Sequence, residues 1–150
     1  MKLEDWTSLA SLGLSAMFVA LLLSFYIFLI GPDGKGPQQV VEPSSLLIQL
    51  IFISVAPSLA LAGTAFFLAK SSGSSIAGTV LIASGIILIV GMAAGSTMVP
   101  KIQNQYLVGL VAVAPYIFLP AGAGLVGTGA YMLLVSQRRR VQSRNLDDLR

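Results

Sequence analysis

Charged residues divide this chain into four uncharged, largely apolar stretches at 6–32, 43–69, 71–100 and 102–137, of 27, 27, 30 and 36 residues. A helix needs about 20 apolar residues to cross a hydrocarbon core of about 30 Å. Each stretch is therefore long enough for one crossing and too short for two. The pattern predicts an all-α integral membrane protein with transmembrane helices near 9–30, 45–68, 76–99 and 106–135. These form an up-down bundle in a single polytopic membrane domain, followed by a tail at 136–150. A membrane β-barrel would alternate apolar and polar positions over strands of about 10 residues. Runs such as 16–30 and 80–90 are continuously apolar and do not. The first stretch reads as a retained span rather than a cleaved leader, because Lys2 is offset by Glu4 and Asp5 and no basic start precedes it.

An even number of crossings places both termini on one side. With the termini in the cytoplasm, seven basic residues lie inside (Lys2, Lys70, Arg138, Arg139, Arg140, Arg144, Arg150) and two outside (Lys35, Lys101). The positive-inside rule selects that orientation, and a multi-pass position in the cell (plasma) membrane is expected. Trp6, Phe66, Phe67 and Tyr131 are then expected at the inner interface, and Phe25, Tyr26, Phe28 and Tyr106 at the outer one. The Gly-Pro-rich loop at 31–42 reads as a linker on the outer face, with docking as its alternative use. The short connection at 70–75 predicts that spans two and three are antiparallel neighbours.

Composition agrees with the pattern. Charged residues make up 10% of the chain and hydrophobic ones 55%, whereas a soluble domain carries about 25% charge. Cys and His are both absent, which removes disulfides, thiol redox chemistry, imidazole ligation of haem or copper, and Ser-His or Cys-His catalysis. No Asp, Glu, Lys or Arg lies inside an expected span either. Proton- or cation-coupled transport and voltage sensing depend on such intramembrane groups, so these classes are disfavoured. Met17, Met92, Met98 and Met132 lie in spans and read as packing residues. No catalytic, cofactor or metal position is expected.

The informative residues are small ones, prolines and arginines. Gly91 and Gly95 form a GxxxG step, and Ala123 with Gly127 and Gly124 with Thr128 repeat the spacing in span four. Ala16, Ala20 and Ser24 do so in span one, and Ala56, Ala60 and Thr64 in span two. Within lipid, such stripes let helix backbones approach, and their number exceeds what one small bundle needs. Pro57, Pro115 and Pro120 each remove a backbone donor within a span, and 115–124 is the expected helix break. A break of that kind could build a midplane site from freed carbonyls; the alternative is a kink whose freed groups find other partners. Arg138, Arg139 and Arg140 directly follow the last span and are expected to set topology and contact anionic lipid headgroups. Topology accounts for these few basic residues, so no nucleic-acid partner is implied. The tripeptide Val55-Ala56-Pro57 recurs as Val113-Ala114-Pro115, which raises duplication of a helical hairpin as one origin of the fold.

Four features combine with the four uncharged spans: the Gly-Pro loop, Gly-Ser-Thr-Met-Val-Pro-Lys-Ile at 95–102, Phe-Leu-Pro-Ala-Gly-Ala-Gly at 118–124, and the Arg138–Arg140 tail. In this layout the chain resembles small archaeal membrane proteins. More narrowly, it is similar to the small accessory subunits that accompany the three main subunits of the archaeal membrane-bound ammonia monooxygenase. The copper sites of that family lie in the main subunits, and no residue here matches their ligands. The resemblance implies a scaffolding role among other integral membrane subunits, without catalysis of its own. A small channel or facilitator for a neutral solute, constricted at 115–124, is the alternative.

Overall fold

A computed structural model describes residues 3–72 and 75–147. Four helices carry the chain: α1 Leu3–Ile30, α2 Pro43–Ser72, α3 Ser75–Met98 and α4 Gly109–Asp147. The described residues contain no strand. Each helix is long and apolar enough to cross a membrane, over Asp5–Ile30, Pro43–Leu68, Ser75–Lys101 and Gly109–Arg138. The expected spans agree with these to within a few residues. The fourth begins later than expected because Gln103–Val108 is folded into turns, with Tyr106 N–H donating to the Gln103 carbonyl and Val108 N–H to that of Tyr106. The tail expected at 136–150 is helical as far as Asp147, where α4 ends. At about 1.5 Å per residue the 39 residues of α4 reach about 58 Å, well beyond one hydrocarbon core.

The helix ends follow local chemistry. Pro43 opens α2, where its missing N–H costs no hydrogen bond. Gly31 ends α1 at φ 67°, its N–H bonded to the Ile27 carbonyl at 3.1 Å, and Gly36 at φ 85° bonds back to the Ile30 carbonyl at 3.0 Å. Both glycines occupy backbone space that side chains rarely enter. The chain is turned back so tightly that a Cβ on Gly31 would meet the Gly36 backbone.

Buried positions recur at sevens. On α1, Ser8, Ser11, Ser15, Phe18, Leu22, Phe25 and Leu29 are buried in alternating steps of three and four, and Asp5 and Tyr26 are buried as well. On α3 three columns are buried: Ala77, Ser84 and Gly91; Gly78, Gly85 and Met92; Leu81, Leu88 and Gly95. A repeat of seven keeps the same side chains facing a partner as helices wind left-handed around each other. With two such faces, α3 packs on α4 along one side and on α1 along the other, while α2 packs chiefly on α1. The expected α2–α3 neighbour pair is therefore corrected, because these two helices touch only sparsely. A short connection brings two helix ends together, but side-by-side packing depends on complementary faces, and both faces of α3 are taken.

Two kinds of small-residue contact hold the bundle. Between α3 and α4 the glycines interlock in antiparallel pairs. A Cβ on Gly85 would lie 2.6 Å from the Gly122 carbonyl oxygen, and one on Gly129 would lie 2.7 Å from that of Gly78. Between α1 and α2 the contact is polar. Ser11 Oγ donates to the Ser58 carbonyl (3.1 Å), Ser58 Oγ lies 3.2 Å from the Ser11 carbonyl, and the Ser15 and Ser58 hydroxyls are 2.9 Å apart. Among the described residues no buried side-chain nitrogen or oxygen lacks a hydrogen-bond partner, as an environment without water requires.

Phe25 and Tyr26, expected at the outer interface, are buried instead, 8% and 0% exposed. They share the inward face of α1 with Phe18, Leu22 and Leu29. Trp6, Phe67, Tyr131 and Phe28 do lie exposed. The two Val-Ala-Pro tripeptides occupy different environments: Val55 is buried and Val113 exposed, Ala56 exposed and Ala114 buried. The helix positions of the two copies are thus not equivalent.

Candidate functional site

The middle of the bundle is filled. Phe18 on α1 and Phe118 on α4 meet edge to face with ring centroids 5.1 Å apart. Leu22, Leu88 and Met92 join them in the same buried cluster. A void of about 10 Å³ remains where Ser15, Val55, Ser58, Leu88 and Ala121 come together with the two rings, close to the least space one water occupies. The Ser15 and Ser58 hydroxyls are directed at each other rather than into a lumen. A solute path through this bundle would have to displace the Phe18–Phe118 pair.

The three prolines do not break their helices. α2 runs continuously through Pro57, and α4 through Pro115 and Pro120, so the expected break at 115–124 is corrected. At Pro115 the reason is visible. A proline at that position leaves the carbonyl four residues earlier, that of Val111, without its helical donor. Tyr26 reaches across from α1 and donates its hydroxyl to the Val111 carbonyl at 2.9 Å. A phenol supplies the hydrogen bond that the ring removed, so the Val111 carbonyl is not left open to an ion or solute. Gly95 opens the space for this ring: a Cβ there would lie 3.3 Å from Tyr26 Cε2. Pro57 is partly buried, and Pro120 is exposed on the outer side of α4.

The small-residue stripes separate into two groups. Gly91 and Gly95 are buried inside the bundle, facing Val19 and Tyr26 of α1. They make the α1–α3 contact and are not open to another chain. The remaining stripes face outward: Ala16, Ala20 and Ser24 on α1; Ala56, Ala60 and Thr64 on α2; Ala123, Gly124, Gly127 and Thr128 on α4. A Cβ on Gly124 or Gly127 would meet nothing within 4 Å. The glycines that lock α3 to α4, Gly78 with Gly129 and Gly85 with Gly122, were not among the expected packing residues. Their signal is a spacing of seven in two spans that run in opposite directions, which a search at spacing four passes over.

Arg138 is exposed at the point where the apolar part of α4 ends. The backbones of Arg139 and Arg140 continue the helix, while their side chains, and the whole of Lys2 and Arg150, lie outside the described residues. Among the described residues no three His, Cys, Asp or Glu side chains gather as a metal-binding group. The arrangement presents a packed interior and three outward surfaces suited to close helix approach. No family model, curated protein or solved structure matches the chain.

Proposed function

We propose that this chain is a non-catalytic accessory subunit that packs against larger integral membrane subunits and stabilises their assembly. One observation carries the reading: α1, α2 and α4 all turn small-residue stripes away from their own bundle. A small side chain facing lipid gains nothing there, because lipid tails solvate a leucine equally well. Facing another helix, it permits backbone approach and van der Waals contact. The filled core supports a scaffold over a conduit. The resemblance in layout makes the archaeal membrane-bound ammonia monooxygenase the first complex to test. The excess of basic residues at one end supports cytoplasmic termini in the plasma membrane, with the Arg138–Arg140 segment at anionic headgroups.

Ala123→Leu combined with Gly127→Leu is expected to leave the isolated bundle folded, since both positions are exposed, and to remove partner subunits from the complex isolated by gentle detergent extraction. Blue-native separation with mass spectrometry reads this directly. Unchanged co-migration in the double variant would exclude the α4 surface as the interface. Vesicles containing the purified chain are expected to be as tight to ammonia, water and glycerol as protein-free vesicles. Permeability that Pro120→Ala alters would replace the scaffold reading with a facilitator.

A further inference from the structure

At the outer end of α1, the loop that follows stands over the helix and encloses an open groove of about 600 Å³, within the size range of small-ligand sites. Its floor is Ile27 and Phe28, and its upper wall is Pro32, Pro37, Gln38 and Gln39. The floor residues lie in the last turn of the Asp5–Ile30 span and are 60% and 44% exposed, so the groove opens toward the bilayer. The loop is anchored just before Pro37, at Gly34 and Gly36. Gly36 N–H bonds to the Ile30 carbonyl, Gln103 Nε2 donates to the Gly34 carbonyl at 3.2 Å, and the Tyr106 ring closes against Gly36.

The geometry points to a lipid-binding groove, occupied by the linkage region of one bilayer lipid, with its first methylenes on Ile27 and Phe28 and its glycerol-linkage oxygens at the Gln38 and Gln39 amides. Three features select this occupant. The floor lies beyond the last small residue of the α1 stripe, Ser24, and one turn from the end of the span, at the depth where a lipid changes from chain to headgroup. No charged side chain lines the groove, so it suits the uncharged linkage oxygens, and a primary amide supplies the donors that they lack. A transmembrane helix from a partner fits poorly, because close helix approach needs small residues and the floor offers Ile and Phe beneath an overhanging loop. This site is on the opposite face from the arginine tail and does not depend on the scaffold reading.

The full chain, reconstituted in dioleoyl phosphatidylcholine vesicles and released into mild detergent, is expected to retain one phosphatidylcholine per chain in native mass spectrometry. Gln38→Ala with Gln39→Ala, and separately Phe28→Ala, should each lower the retained fraction about fivefold, the worth of roughly one neutral hydrogen bond or of part of an apolar side chain. Phe52→Ala, at an exposed position on α2 outside the groove, should leave it unchanged. All these side chains are exposed, so helical content serves as the folding control. Equal retention in every variant, or an equal fall in Phe52→Ala, would overturn the proposal in favour of ordinary annular lipid. In native membranes, a photocrosslinker at Gln39 is expected to gain the mass of a lipid; an adduct to a polypeptide would assign the groove to a partner and overturn it as well.

Discussion

Gly85→Leu is expected to force α3 and α4 apart and to cost the bundle at least about 2 to 3 kcal/mol, the upper range for overpacking a filled contact. The obstacle at this position is backbone. A Cβ would lie 2.6 Å from the Gly122 carbonyl oxygen and 2.8 Å from the Val126 nitrogen. No rotamer change relieves a clash with main chain, so the helices must separate along the face that Gly78 and Gly129 also share. Separation sacrifices dispersion contacts, and within lipid no hydrophobic driving force draws the helices back together. Unfolding by titration with a denaturing detergent, followed by helical circular dichroism, measures the loss. Gly127→Leu is the control, because its Cβ meets nothing within 4 Å and the isolated bundle should be unaffected. Equal stability of the Gly85 and Gly127 variants would refute the glycine contact as the main α3–α4 lock.

Tyr26→Phe is expected to cost about 1 to 2 kcal/mol, because it leaves the Val111 carbonyl buried without a donor. The decisive comparison is with Pro115→Ala. Alanine restores a backbone N–H at the position that normally donates to Val111, so the tyrosine hydroxyl becomes redundant there. Tyr26→Phe in the Pro115→Ala background should therefore cost little, and the double-mutant cycle should show strong coupling between two residues that are 89 positions apart in the sequence. An equal cost in both backgrounds would mean that the hydroxyl does not compensate for the proline. The same stability assay reads all four proteins of the cycle.

Gly95 belongs to the Tyr26 contact. Its place in a GxxxG step is visible in the sequence and invites an interface between chains. In the structure it makes room for the Tyr26 ring, which in turn completes the helix at Pro115. Tyr26 itself reads as an interfacial aromatic from its position near the end of a span. Its hydroxyl is instead carried inward, to a carbonyl that a remote proline has freed. Neither role can be inferred from one helix at a time, since each depends on which face of α1 meets α3 and α4.

The difficulty has a general physical cause. In a soluble helix the buried face is announced by apolar residues beside polar ones. Here lipid and protein interior are both apolar, so that contrast vanishes and composition around the helix says little about direction. The information that survives is size and period. Gly78 and Gly85 on α3, and Gly122 and Gly129 on α4, carry it as a spacing of seven, and the serines of α1 carry it as steps of three and four. The spacing-four stripes of Ala16, Ala56 and Ala123 were legible too, but whether they face inward or outward was not.

Length and charge placement determined by themselves that this chain has four helices able to cross a membrane, and nearly where each begins and ends. A span requires about 20 uncharged residues and charged side chains are costly within it, so the boundaries are written locally. Tertiary structure alone decided that α3 rests between α1 and α4, that the prolines leave their helices intact, and that Gly91 and Gly95 face inward while Ala123 and Gly127 face out. These outcomes arise from close contact between residues distant in sequence, where a single Cβ or one hydroxyl settles which faces can meet.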